Sequence, residues 1–479
     1  MITPIGGLGG GSISRENPAR FVEIVGSVVE TPPEAVDAIV RRADAEQRAW
    51  AARPLPDRLA ALLRAASAIE DATGELATLL ARESGKVVGD CRGEIGFAVR
   101  YLRWVAEHSL DAYADRELDD ALGRIVEQRR PYGVIAAVTP WNAPIILTVL
   151  KVGPALAAGN AVVVKPSPLA PLTVDRVIGL FDAPIRAVHG GPATGAALVG
   201  HELVRKVAFT GGTAGGRAVA ALAGDRLTPT VMELGGNDPA VLLDDAPFDD
   251  AAMDRLVMAS FATSGQVCMA AKRLYVPRAR LDEFTGAYQA AAARVLVTGD
   301  PLADGVTMGP VVSASAQRAA QALISGDARP LGRFDAEPTT GYFVQPTLVV
   351  DPDPRAPLVV DEQFAPVVPV LPYDDENSVL AAANAGELGL GASVWSADEE
   401  RAFAFARRFE AGFTFVNTHN RTGMTLRAPF GGVKRSGWGR EYATEGLTEY
   451  VQTCVIHAPA PFRPGAPTPT TTPTAYPAC

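Results

Sequence analysis

Apolar and polar positions are spaced differently in successive parts of the chain. Between residues 33 and 115, Ala, Leu, Arg and Glu dominate and apolar residues recur at helical spacing, as in Leu59, Leu62, Leu63 and Ala66, which predicts a helical region. From Gly133 the texture changes to short β-rich runs, GVIAAVTP, AVVVKP and KVAFTG, each closed by Pro, Gly or Thr. Helical stretches lie between them, and that alternation predicts a parallel sheet with crossover helices. A second alternating block, from about 237 to 435, carries RLYVP, YFVQPTLVV, PVVPVLPY and GASVW. Residues 458–479, APAPFRPGAPTPTTTPTAYPAC, can form neither a helix nor an inner strand, so an extended tail is expected, ordered only where it docks on a neighbour. There is no internal repeat and no G-x-G-x-x-G fingerprint, so a nucleotide would have to bind by another loop.

A length of 479 residues exceeds one ordinary core and predicts two or three domains. Hydrophobic residues make up 48% and charged residues 20%, the balance of a soluble globular protein. Asp and Glu outnumber Lys and Arg by 54 to 44, a net charge of −10, and no basic stripe with interleaved aromatics appears, which argues against nucleic acid as a partner. No run of about 18 apolar residues is present, so no membrane span is expected. The Gly-rich N-terminus lacks the pattern of a secretory signal. Cys91, Cys268, Cys454 and Cys479 are far apart with no C-x-x-C pair, and the five histidines show no paired spacing, so neither a disulfide framework nor a metal site is implied and a cytoplasmic location is expected.

Four segments carry candidate chemistry. Cys268 lies in SGQVCMAAKR, three residues after a Gly and ahead of an Ala-rich, helix-compatible stretch. A thiol at a helix N-terminus has its thiolate favoured by the dipole, although a lone Cys is more often a small buried hydrophobe. Glu233, in MELGGNDP, follows the apolar TVM and precedes two glycines, as at a strand ending in a tight turn. Such a partly buried carboxylate has a raised pKa suited to a general base; the plainer reading is a charge solvated at a strand end. Asn142, in TPWNAP, stands between two prolines, where a rigid amide can donate to a developing oxyanion or simply satisfy its own turn. FTGGTAGGR, residues 209–217, follows a strand and opens a helix, so its free N–H groups can face a phosphate.

Each signal is weak alone. Together TPWN, VVKPS, FTGGTAGG, ELGGN, GQVC, EQFAPV and PFGGVKRSG occur in an order and spacing that resembles the aldehyde dehydrogenase superfamily from about residue 17 to 457, with ENPA at 16 and ESGK at 83 as further landmarks. The resemblance implies Cys268 as nucleophile, Glu233 (35 positions earlier) as general base and Asn142 as oxyanion donor. For the cofactor, NAD or NADP, it implies Lys165 on the adenosine ribose and Gly211, Gly212, Thr213 and Gly216 beside the pyrophosphate. It further implies Glu362 and Phe364 at the nicotinamide ribose and ring, with Trp141 and Leu234 walling the cleft. Glu441 matches a second acid sometimes linked to proton relay. Three departures stand out: Pro168 where the family often has Glu, Gly212 where it often has Ser, and Asn237 where many members have Lys.

The fold class implied is α/β, with three parts. These are a Rossmann-like cofactor domain (1–113 and 132–234), an α/β catalytic domain (235–440) and a small β oligomerisation arm (114–131 and 441–457), followed by the tail 458–479. The alternating run EYVQTCVIH in the arm needs a strand partner, so a homodimer or homotetramer is expected. The reaction implied is oxidation of a small-molecule aldehyde to a carboxylic acid through a thioester on Cys268. A CoA-acylating relative usually lacks the general-base Glu, which is present here as Glu233, and an inactive binding or structural homologue would not need Cys268, Glu233 and Asn142 together. Ala143, Leu147 and Leu150 suggest a wide apolar mouth. The stretch 417–429 carries His419, Arg421 and Arg427, which either read a substrate carboxylate or face solvent.

Overall fold

The computed structural model describes residues 11–336 and 340–463. The expected helical region is there: Val36–Ala51, Leu55–Asp71, Thr73–Ser84 and Val88–Ala112. Leu59, Leu62 and Ala66 turn inward, whereas Leu63 is exposed, as a stripe narrower than the run of apolar residues requires. A hairpin that the sequence pattern did not predict, Ser12–Asn17 with Arg20–Val29, precedes these helices.

The runs after Gly133 form a six-stranded sheet in the order Gly437–Trp438, Thr230–Glu233, Val204–Thr210, Val134–Val138, Ala161–Lys165, Ile185–Ala187. All pairings are parallel except that of the edge strand Gly437–Trp438. VIAAV and AVVVK are apolar at almost every position because helices cover both faces of a parallel sheet. Register places the ends of these strands side by side, Val138 opposite both Lys165 and Phe209, and Thr210 opposite Glu233. Asn142, Lys165, Gly211 and Glu233 therefore sit at one carboxyl edge, where open α/β sheets bind ligands.

The second block forms a seven-stranded sheet in the order Asp327–Pro330, Thr347–Val350, Val367–Tyr373, Ala271–Pro277, Asp238–Leu242, Gly391–Trp395, Phe413–Val416, antiparallel only at its first strand. A third, antiparallel sheet joins Arg116–Asp120, Gly123–Pro131 and Val451–Pro459. Its last strand takes up Ala458 and Pro459, which the composition had assigned to the tail, and a 3-10 turn Ala460–Phe462 comes next. Proline is tolerated there because it closes an edge strand, where no ladder hydrogen bond is owed. The rest of the expected tail lies outside the described residues, apart from Arg463. No described helix is long and apolar enough to cross a membrane.

Candidate active site

Cys268 stands in a turn between the 3-10 segment Ala262–Gly265 and the strand Ala271–Pro277. The Ala-rich stretch after it is thus a strand and not the expected helix, so the segment that follows the thiol supplies no helix N-terminus to it. The reason is tertiary: AKRLYVP is held in parallel register between Asp238–Leu242 and Val367–Tyr373, and that outweighs the helical preference of two alanines. Thr263 and Ser264 adopt left-handed φ of 56° and 58°, and Gly265 follows at 71°. A Cβ at Gly265 would lie 2.3 Å from the Ala365 carbonyl oxygen, so this approach needs glycine. Ser264 Oγ donates to the Gly309 carbonyl at 2.8 Å, and Gln266 Oε1 accepts from the Val312 N–H at 3.0 Å, which holds the strained turn in place.

The amide of Asn142, buried just ahead of the helix Pro144–Ala157, donates through Nδ2 to the Gln266 carbonyl at 3.0 Å. That bond joins the carboxyl edge of the first sheet to the Cys268 turn, and Nδ2 carries a second hydrogen. Asn142 and Cys268 line one cavity of about 330 Å³, whose walls include Phe97, Ile146, Leu147, Met269 and Met424. Although Cys268 keeps partial exposure there, burial pushes its thiol up to about 12, with Lys272 the strongest opposing influence.

Glu233 ends its strand as expected and is buried, with no hydrogen-bond partner for either carboxylate oxygen among the described residues. Burial first, and the Glu441 charge second, raise its pKa well above the ordinary carboxylate range; Lys151 and Arg440 oppose them. Glu441 is itself paired with Lys151, whose Nζ donates to Glu441 Oε1 and Thr210 Oγ1, both at 2.6 Å. Glu233 does not line the Cys268 cavity, but its charge contributes to raising the thiol, so the two stand within electrostatic range.

The residues expected on the cofactor side group along the same edge. Lys165 closes its strand, buried, with only the Pro166 carbonyl near its ammonium at 3.4 Å and no acid paired to it among the described residues; burial lowers its pKa. The loop after Thr210 opens the helix Thr213–Asp225 with Gly212 as cap and no side-chain capping bond, so the first N–H groups are free of one. A Cβ at Gly211 would lie 2.8 Å from Phe209 Cζ and one at Gly216 2.4 Å from Leu234 Cδ2, so a side chain at either position would have to displace Phe209 or Leu234. Trp141 meets Phe364 edge-on at 5.6 Å. Glu362 Oε1 accepts from the Gly236 N–H and from Lys272 Nζ, each at 3.1 Å. Gly235 and Gly236 permit this packing: a Cβ on the first would lie 2.0 Å from Glu362 Oε2, and on the second 2.7 Å from the Cys268 carbonyl oxygen. A buried cation with no acid paired to it among the described residues, a helix start at a glycine turn with no side-chain cap and a carboxylate beside two aromatic rings fit a dinucleotide.

The three candidates in 417–429 separate. His419 is buried with Nδ1 2.7 Å from Ser393 Oγ and does not line the cavity. Arg427 is exposed and does not line it either. Arg421 does, paired with Asp90 at 3.1 Å. Sequence reasoning missed Lys272, Arg100 and Glu94. Arg100 shares the cavity, and Glu94, also there, pairs with Lys86 and accepts from the Ile145 and Ile146 N–H groups at 2.8 and 3.1 Å, capping the helix that begins just after Asn142. A signal for Glu94 existed only in retrospect: an acid on the inward face of a helix that is otherwise apolar there.

The chain is similar to known proteins over most of its length. It is 36% identical over 448 residues to a geranial dehydrogenase of Castellaniella defragrans, covering 90% of this chain and 92% of that protein. It is 35% identical over 461 residues to a succinate-semialdehyde dehydrogenase (NADP(+)) of Escherichia coli, covering 92% and 93%. The solved NAD-dependent aldehyde dehydrogenase of Sinorhizobium meliloti superposes with a TM-score of 0.91 at 28% identity, covering 98% of this chain and 95% of that one. A profile described as the aldehyde dehydrogenase family matches residues 9–456, the span that holds the Cys268 turn, the Glu233 strand end and the Lys165 edge, and the chain belongs to that family.

Proposed function

We propose that this chain oxidises a small-molecule aldehyde to a carboxylic acid with NAD or NADP, through a thioester on Cys268 that water discharges. The observation that carries the reading is the joining of Asn142 and Cys268 in one apolar-walled cavity, with the buried, high-pKa carboxylate of Glu233 close by. The Cys268 sulfur adds to the aldehyde carbon and its proton leaves to solvent or base. The oxyanion so formed is held by the second Asn142 N–H and the Cys268 backbone N–H. The nicotinamide, when bound, supplies the acceptor for the hydride that leaves the tetrahedral carbon. Glu233 then takes a proton from water, the hydroxide adds to the thioester carbonyl, and the C–S bond breaks to release the acid and the thiolate. Burial favours the neutral form of Glu233, and only its ionised fraction takes a proton from water, so deacylation accelerates as pH rises towards the raised pKa. Lys151, Glu441 and Thr210 form a hydrogen-bonded group that acts on Glu233 through charge, Glu441 raising its pKa and Lys151 lowering it.

Lys165, the turn at Gly211, Gly212, Thr213 and Gly216, Leu234, Trp141, Glu362 and Phe364 would hold the dinucleotide. On this reading the six-stranded sheet with its helices is the cofactor part, the seven-stranded sheet the catalytic part and the three-stranded sheet an arm. Strand Val451–Pro459 is one of the two outer strands of that arm and exposes Val455 and Ile456, which supports a homodimer or homotetramer whose mass sedimentation velocity would give; a monomer contradicts it. Product analysis tests the reaction: free acid forms at the same rate with and without CoA, and a CoA thioester as product would overturn the hydrolytic assignment.

Cofactor choice depends on Pro168. A Glu there would accept from ribose hydroxyls and repel a 2′-phosphate, whereas proline has no polar side-chain atom and leaves the Lys165 ammonium unopposed. NADP is therefore accepted in addition to NAD, and Pro168→Glu shifts kcat/KM towards NAD by about 5- to 150-fold, the equivalent of about 1–3 kcal/mol. A wild-type preference for NAD above about 100-fold, unchanged by the substitution, would show that position 168 does not set the choice.

A further inference from the structure

Lys272 has no part in the steps above, yet it is among the most deeply buried charges in the protein, with a side chain 2% exposed. It stands four positions beyond Cys268, in the strand Ala271–Pro277. A buried ammonium is costly unless all its hydrogens are taken up. Here Nζ donates to the Gly236 carbonyl at 2.9 Å, the Cys268 carbonyl at 3.0 Å and Glu362 Oε1 at 3.1 Å, three acceptors for three hydrogens. The ammonium also lies 5.2 Å from the centroid of the Phe364 ring. One cation thus ties together the glycine turn after Glu233, the Cys268 turn and the loop carrying Glu362 and Phe364.

We propose that Lys272 is a positioning residue, which fixes the Cys268 turn against the Glu362 loop and supplies the positive charge that a thiolate needs, a charge that Glu362 partly neutralises. The proposal rests on Cys268 being the nucleophile. The Cys268 turn leads into a strand, so no helix of its own segment begins at the thiol to favour a thiolate. Lys86, Glu94, Arg100 and Arg421 share the cavity with Cys268, but the charges that act most on the sulfur come from four other elements. Lys272, on its own strand, acts for the thiolate, while Glu362 from its loop, Asp238 from the strand Asp238–Leu242 and Glu233 from the end of its strand act against it. Removing the cation and removing its carboxylate partner must therefore change thiol reactivity in opposite directions, which no purely structural role predicts.

The test is alkylation of Cys268 by iodoacetamide in protein without cofactor, monitored on the Cys268 peptide by mass spectrometry from about pH 6 to 10. Each unit by which the thiol becomes less acidic cuts the thiolate tenfold, offset to a net loss of about three- to fourfold by the greater nucleophilicity of a more basic sulfur. Lys272→Met slows alkylation at pH 8 by at least about threefold and moves the profile to higher pH. Lys272→Arg, which keeps the charge, stays within about twofold of wild type. Glu362→Gln speeds alkylation by about threefold and moves the profile to lower pH, although it loses turnover. Profiles that coincide in all four proteins, or a slowing in both Lys272→Met and Glu362→Gln, overturn the proposal. Should Lys272→Met fail to fold, as thermal unfolding reports, Glu362→Gln against wild type decides by its sign. If Cys268→Ala keeps dehydrogenase turnover, the nucleophile assignment itself has failed, a result distinct from coincident alkylation profiles at Cys268.

Discussion

Cys268→Ala removes dehydrogenase turnover and the hydrolysis of a simple aryl ester together, each by at least about 10⁴-fold, and leaves the protein folded. On the proposed mechanism both reactions pass through an acyl group on the same sulfur, so deleting the nucleophile cannot spare one. The fold survives because Cys268 lines a cavity in a turn whose geometry is set by Gly265, Ser264 and Gln266, none of which bonds to the thiol. Loss of one partly exposed sulfur is expected to cost no more than about 1 kcal/mol of stability. Circular dichroism and thermal unfolding check the fold, and initial rates with aldehyde and ester check the chemistry. Substantial turnover by the variant would move the nucleophile elsewhere; Cys91, with its thiol buried, is no substitute.

Glu233→Gln separates the two halves of the reaction. Hydride departure needs only the thiohemiacetal, whereas hydrolysis needs a base to take a proton from water, so the first turnover survives and the steady state falls by about 10² or more. The trace expected in stopped flow is a burst of reduced cofactor close to one per active site, then a slow phase. The substitution also removes a carboxylate whose oxygens have no hydrogen-bond partner among the described residues, so folding stability does not suffer from a lost bond. In wild type the steady-state rate rises with pH towards the raised pKa of Glu233, and in the variant that rise flattens. A burst that disappears with the steady state would place Glu233 at an earlier step, such as deprotonating the thiol.

Much of the first sheet was legible in the sequence because VIAAV, AVVVK and VRKVAFT are buried on both faces and closed by Pro or Gly, a pattern with few alternative readings. The end of the Glu233 strand was legible for the same reason. The segment after Cys268 was not, since MAAKR has local helix character and becomes a strand only through partners whose residues lie about 30 positions earlier and about 100 later. Charged residues with buried partners were the hardest to read. Lys272 meets Gly236 and Glu362, 36 and 90 residues away, and no local pattern encodes those contacts. His419 shows the converse: read as a possible carboxylate reader, it is turned inward by Ser393, 26 residues before it. The glycines at 235 and 236 were legible as a turn, but not as the room that lets Glu362 and the Cys268 carbonyl approach.

The central claim is a covalent acyl group on Cys268 that leaves by hydrolysis, and the direct measurement is intact and peptide mass spectrometry of Glu233→Gln quenched after mixing with aldehyde and oxidised cofactor. The account predicts a mass increase equal to the acyl group of the aldehyde used, on the Cys268 peptide alone, absent without cofactor and absent in Cys268→Ala. An adduct on another residue, or a full burst of reduced cofactor with no adduct, would contradict it.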